Sequence, residues 1–204
     1  RLDRFVVERA KTARAHLKAM GHPLPLQSIA MQELNEHTPA SAIADLLAPL
    51  VAGHDLGLLS EAGCPAVADP GANLVRAAHA AGIAVVPLVG PSSILLALMA
   101  SGLGGQRFAF HGYLPAKEPE RSRSIQALEK AARRDQATQL FIETPYRAAA
   151  LLDALAATLS PAMLVSVGAD LGLPGQFIRT QRAQDWRGCS DLVKDRLVVF
   201  GIGI

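Results

Sequence analysis

An alternation of two patterns along the chain restricts its fold more than any other feature. Short runs rich in Val, Ile and Phe recur between longer Ala- and Leu-rich stretches with helical spacing. Strand then helix, repeated, is the rhythm of an α/β protein built mainly on parallel strands. The spacing predicts strands over residues 5–7, 26–31, 54–59 and 84–89, then 108–114, 139–142, 163–167, 177–180 and 196–200. Helices are expected over 10–20, 39–52, 73–81, 92–100, 121–134 and 146–159. The run from His54 to Leu59 reads as a strand buried on both faces. Gly21 and Gly53 stand where the first two helices should stop.

The rhythm breaks near Gly102, Gly104 and Gly105, and Pro115 and Pro119 bracket a polar segment. Two α/β domains are therefore expected, 1–112 and 113–204. The chain opens at Arg1, almost directly on a strand, whereas a translation product opens with Met. A preceding N-terminal segment is expected on that ground.

Composition narrows the chemistry. Half the residues are hydrophobic and 19% are charged, which is globular usage. With 36 Ala and 29 Leu against six Phe, two Tyr and one Trp, the core should be aliphatic. The longest apolar runs, such as Ile94 to Ala100, fall far short of the roughly 20 residues of a membrane-spanning helix, so no membrane partner is expected. Twenty basic residues against 18 acidic ones give +2 without a long like-charge run, which neither announces nor excludes RNA. Cys64 and Cys189 lack CxxC or CxxH spacing, so neither a disulfide framework nor a structural zinc site is expected. With no signal peptide in view, the expected compartment is the reducing cytoplasm.

Two loops stand out. Ser60-Glu61-Ala62-Gly63-Cys64-Pro65-Ala66-Val67-Ala68-Asp69-Pro70-Gly71 follows a predicted strand directly, at the strand end where open parallel sheets place ligands. Its glycines permit positive φ and close backbone approach, while its prolines stiffen it. The alternative is an ordinary strand-to-helix loop in which Asp69 or Asn73 caps the next helix. Gly90-Pro91-Ser92-Ser93 repeats the arrangement after the predicted strand 84–89. Its hydroxyls and free N–H groups suit a carboxylate, or simply N-cap the helix. No GxxxxGK[ST] phosphate loop is present, and no GxGxxG follows a strand.

Other residues carry weaker signals. His37 and His111 have no ligand-spaced partner, so no metal is expected. Arg121, Arg123, Lys130, Arg133 and Arg134, interspersed with Glu118, Glu120, Glu129 and Asp135, read as a solvated helix face. Cys64 reads as a space-filling residue in its loop. Glu143 ends an apolar strand in Phe141-Ile142-Glu143-Thr144-Pro145-Tyr146-Arg147, where it either faces a cleft or caps the following helix. Arg147 stands one helical turn beyond it. Glu143 and Arg147 are the candidate catalytic pair, Glu143 as general base and Arg147 holding Glu143 or a phosphate. The alternative is a structural pair that orients the loop.

Taken together, these segments resemble the tetrapyrrole (corrin/porphyrin) methylase family of S-adenosylmethionine-dependent methyltransferases. Gly57 to Gly71 matches one signature, Gly90-Pro91-Ser92-Ser93 with its helix a second, and Phe110-His111-Gly112-Tyr113-Leu114-Pro115 a third. The nearest branch is the one that methylates a cytidine 2′-hydroxyl of 16S ribosomal RNA, with its bacterial paralogues. The resemblance implies two α/β domains with the cofactor in the cleft between them, a first βα unit that would precede Arg1, and a homodimer. It implies that Ser60, Ala62, Gly63, Cys64, Pro65 and Val67 meet the methionine end of S-adenosylmethionine. Gly90, Ser92 and Ser93 would lie beside it, and Ile142 with Glu143 would border the adenosine. The implied reaction is methyl transfer to an RNA nucleoside hydroxyl without a metal, in which the protein mainly positions reactants and excludes water.

Three segments depart from the family patterns. Glu8-Arg9-Ala10-Lys11 stands where the ribosomal branch carries Glu-Asp-Thr-Arg, and the segment ending in Arg147 lacks that branch's His. Gly63-Cys64-Pro65 replaces the Gly-Asp-Pro usual in tetrapyrrole enzymes. These departures motivate two alternatives: a non-catalytic binding module on the same fold, and a methylase acting on a small molecule such as a tetrapyrrole.

Overall fold

A computed structural model describes residues 2–204. The chain forms two compact units that divide after Pro91.

The first unit holds a three-stranded parallel sheet of β1 (Arg4–Val7), β2 (Ala30–Glu33) and β3 (Gly57–Leu59), in the order β2-β1-β3. Side chains alternate along β1, so its two faces serve two cores. Phe5 and Val7 pack with Ala13 and Leu17 of α1 (Ala10–Ala19). Val6 packs with Leu46 of α2 (Ile43–Val51) and Leu74 of α3 (Ala72–Ala80). Helices thus cover both faces, as a parallel sheet requires. Gly57 is fitted to this packing, since a Cβ there would stand 2.5 Å from the Phe5 ring.

Three sequence expectations are corrected in this unit. The strand expected over 26–31 starts only at Ala30, because Leu26–Ser28 is a 3-10 turn. The Ser28 hydroxyl and N–H both donate to the Pro25 carbonyl there. The strand expected from His54 is confined to Gly57–Leu59, a half-buried edge strand and not one enclosed on both faces. No strand forms over 84–89 at all. Pro87 interrupts that run and has no N–H to give a ladder. Val86 and Leu88 are left 75% and 83% exposed.

The second unit, Ser92–Ile204, holds a five-stranded sheet of β4 (Phe108–Tyr113), β5 (Thr138–Glu143), β6 (Leu164–Ala169), β7 (Phe177–Arg182) and β8 (Val198–Gly203). Its order is β4-β5-β8-β6-β7. Only β4 and β5 are parallel, and every other pair is antiparallel. The expectation of mainly parallel strands therefore fails here. The connection from Asp170 to Gln176 turns on the left-handed residues Asp170, Gly172 and Gly175, and is shorter than the dozen or so residues a parallel crossover needs.

Helices α5 (Glu120–Asp135) and α6 (Pro145–Thr158) bury Ile125, Leu151 and Leu155 against Phe141 and Phe200 of the sheet. Trp186 closes this core, its indole N–H donating to the Val165 carbonyl at 3.0 Å. On the other strand face, Gly201 and Gly203 leave room for the Leu103 side chain, which a Cβ at either position would meet at 3.3 Å. Leu103 follows α4 (Ser93–Ser101), which packs on β6, β7 and β8. The division after Pro91 thus groups α4 and β4 with the second unit, whereas the expected boundary lay at 112/113. No helix among the described residues is long and apolar enough to cross a membrane.

Candidate functional site

The C-terminal ends of β1 and β3 lie side by side because the strands pair in parallel, Val7 opposite Leu59. The next residue of each strand therefore reaches the same edge. There the Glu8 carboxylate accepts the Glu61 N–H at 2.5 Å, tying the start of the Ser60–Gly71 loop to the end of β1. A cavity of about 100 Å³ opens at this edge, lined in part by Glu8, Thr12, His16 and Ser60.

The loop holds four left-handed residues, Gly63, Ala66, Ala68 and Gly71. For the two alanines that backbone costs roughly 1–2 kcal/mol each. Ser60 Oγ donates to the Gly63 carbonyl at 3.4 Å, and the Val67 N–H closes a turn onto the Cys64 carbonyl at 3.1 Å. Between these bonds, the N–H groups of Ala62, Gly63 and Cys64 have no hydrogen-bond partner among the described residues. Three successive free donors shortly after a parallel strand are available to an anion such as a carboxylate. The Cys64 thiol donates to the Pro91 carbonyl at 3.4 Å, so the first loop touches the start of the second.

Neither Asp69 nor Asn73 caps α3, whose N-cap is Gly71 without a side-chain bond. Burial, with the neighbouring Glu8 carboxylate second, pushes the Asp69 carboxyl above its ordinary value. A larger cavity of about 260 Å³ lies beyond Gly71, with Asn35, Thr38 and Asn73 among its polar lining. The sequence reading missed Glu8 and Asn35 as site candidates. Both follow the end of a parallel strand closely, the same signal that singled out Ser60.

The Gly90-Pro91 segment does not follow a strand, contrary to expectation, because residues 84–89 do not form one. Ser92 acts as the N-cap of α4, its Oγ accepting the Leu95 N–H at 3.5 Å, and Ser93 is the exposed first residue of that helix.

In the second unit, β5 delivers Ile142 and Glu143 to its C-terminal end. Glu143 is buried, with a side chain 3% exposed. Its Oε1 accepts the Thr144 N–H at 2.7 Å and the Thr144 hydroxyl at 3.2 Å. The same oxygen takes Arg147 Nε at 2.9 Å and Nη2 at 2.6 Å. Arg147 Nε also donates to Thr144 Oγ1 at 3.2 Å. Glu143 thus clasps the first turn of α6. His111 is engaged with Gln139 at 2.7 Å, and His37 is exposed beside Glu36.

A parallel α/β unit followed by a mixed five-stranded unit is a fold shared with known methyltransferases. The methyltransferase CobJ aligns over 100% of this chain and 94% of its own, with TM-score 0.58 and 18% identity. A uroporphyrin-III-C-methyltransferase from Thermus thermophilus aligns over 99% and 82%, with TM-score 0.53 and 19% identity. At such identities the likeness is one of fold. The chain belongs to the Tetrapyrrole (Corrin/Porphyrin) Methylases, whose family model matches residues 3–186. Among its relatives is Ribosomal RNA small subunit methyltransferase I of Mesorhizobium japonicum, 37% identical over 168 residues, which are 81% of this chain and 56% of that protein. The namesake from Xylella fastidiosa is 40% identical over 160 residues, 78% of this chain and 55% of its own. The chain spans about half the length of the curated relatives it matches.

Proposed function

We propose that this chain belongs to an S-adenosylmethionine-dependent methyltransferase that methylates a nucleoside hydroxyl of RNA. The observation that carries the reading is the Ser60–Gly71 loop, with three free amides at the end of a parallel strand in a chain of this family. The RNA acceptor is supported by the names of the relatives. S-adenosylmethionine supplies a methyl group already activated on a sulfonium. The N–H groups of Ala62, Gly63 and Cys64 suit its methionine carboxylate, which is the fit that the donor set offers. Ser60, Pro65, Val67 and Gly90 complete the proposed lining in the first unit.

The remaining task is to orient the acceptor hydroxyl and exclude water. Glu143 is a positioning residue in this reading, because four donors already converge on its Oε1. A general base must reach the proton it removes; Oε1 is committed to Thr144 and Arg147, which leaves only Oε2 for such a role. A homodimer is proposed as well, supported by the exposed Leu95, Leu96 and Met99 of α4, and its expected compartment is the cytoplasm. Light scattering that finds only monomer would remove the dimer.

The test is transfer of a labelled methyl group from S-adenosylmethionine to RNA extracted from a strain lacking the gene. Incorporation into that RNA, and none into RNA from the parent strain, is the expected result. No incorporation into either, with the cofactor bound, would exclude RNA as acceptor.

A further inference from the structure

The family model and the names of the relatives leave open what holds the acceptor strand. A chain this aliphatic has few aromatic side chains to spend, and four of the nine are enclosed. Phe5, Phe141, Phe200 and Trp186 lie in the cores. Its two tyrosines do not. Tyr113 is 58% exposed and Tyr146 is 77% exposed. Both stand at one end of the second unit's sheet. Tyr113 ends β4 in register with Ile142 of the parallel β5, and Tyr146 follows four residues after Ile142 in the first turn of α6. An exposed tyrosine alone needs no explanation, but here a cation stands beside it.

Arg147 spends Nε and Nη2 on Glu143 and Thr144, while its Nη1 has no partner among the described residues. Its guanidinium carbon lies 5.8 Å from the centroid of the Tyr146 ring. The buried Glu143 therefore fixes a half-exposed guanidinium over one face of the exposed Tyr146 ring, with one nitrogen meeting no protein acceptor. Flat π-face plus fixed cation is the pairing with which proteins hold single-stranded nucleic acid, ring on base and cation on phosphate.

We propose that Tyr146, assisted by Tyr113, is a stacking platform for a nucleobase of a single-stranded RNA acceptor, and that Arg147 Nη1 holds the adjoining phosphate. The inference deepens the RNA methyltransferase reading and rests on it. Glu143 then acts at one remove, keeping the cation in place while its own charge stays buried.

The test uses the full chain with a short single-stranded oligoribonucleotide read by fluorescence anisotropy, and S-adenosylhomocysteine read by calorimetry. Tyr146→Ala is expected to weaken oligonucleotide binding by about tenfold or more, as loss of one stacked base does. Tyr146→Phe, which keeps the ring, is expected to restore it, and S-adenosylhomocysteine affinity is expected to stay unchanged in both. Circular dichroism controls for folding, which an exposed position should not disturb. Unchanged oligonucleotide affinity in Tyr146→Ala and in the double variant with Tyr113→Ala would overturn the proposal. A parallel fall in S-adenosylhomocysteine affinity would also overturn it, because the ring would then serve the cofactor's adenine. Dissociation of a dimer with RNA binding intact would give the platform to a second copy instead. If the unaltered protein binds S-adenosylhomocysteine but no oligonucleotide, the platform falls and a methyltransferase with another acceptor remains. If it binds neither, both readings fall.

Discussion

Gly71 is where backbone and packing constraints meet on a single residue. Its φ of +128° is a conformation that side chains rarely adopt, and a Cβ there would lie 2.8 Å from Leu58 Cδ2. Gly71→Ala is expected to destabilise the first unit by about 1–3 kcal/mol, read as a lower midpoint in urea. Glu143 carries the opposite kind of constraint, a charge enclosed by its own donors. Glu143→Gln should lower stability by about 1–3 kcal/mol, since it trades a charged acceptor for a neutral amide under Arg147. In the positioning role it raises KM for RNA and leaves kcat within a few-fold. A fall in kcat of about 10²-fold with KM unchanged would instead make Glu143 the base.

At the scale of elements, α5 shows how a residue that reads as surface becomes a tie between helices. Glu129 was expected on a solvated face, yet it is buried: its Oε2 accepts the Ser160 N–H at 3.1 Å and its Oε1 accepts Arg133 at 2.9 Å. It thereby joins α5 to the segment after α6. Burial alone pushes its carboxyl up, but the hydrogen bonds from Ser160 and Arg133 outweigh this and hold it below the ordinary 4.5. The native state thus binds this proton less tightly than the unfolded chain. The stabilisation is complete above the ordinary value and is lost as pH falls through the lowered one. Glu129→Gln is expected to flatten the acid limb of a stability–pH curve below about pH 4.5 while lowering stability at neutrality. An acid limb identical to that of the unaltered protein would remove Glu129 from this role.

The same scale shows why some elements were legible and others were not. Strands β1, β4 and β5 stood out because Val, Ile and Phe cluster between clear helix signals. Residues 84–89 showed the same apolar run, and Pro87 was the warning within it. The direction of β7 was readable only from the length of its connection to β6, which a pattern of apolar runs ignores. For the candidate site, the Ser60–Gly71 loop was legible because its glycines and prolines follow a strand. Glu8 was not, because its bond to Glu61 spans 53 residues and arises only once β1 and β3 pair in register.

At the scale of the whole molecule, one chain carries two units built on different pairing rules, a parallel sheet and a largely antiparallel one. The first exposes free amides at its strand ends. The second carries a clasped arginine and two exposed tyrosines at its own. In the proposed methyltransferase the first of these features receives the methyl donor. Calorimetric titration with S-adenosylhomocysteine tests this most directly, using the unaltered chain and a Gly63→Val variant. Gly63 has a φ of +76°, so valine would distort the run of free donors without touching either core. Saturable one-to-one binding well below millimolar ligand is expected, weakened at least about tenfold by Gly63→Val. Absence of binding at millimolar ligand, or full affinity in the variant, would contradict it.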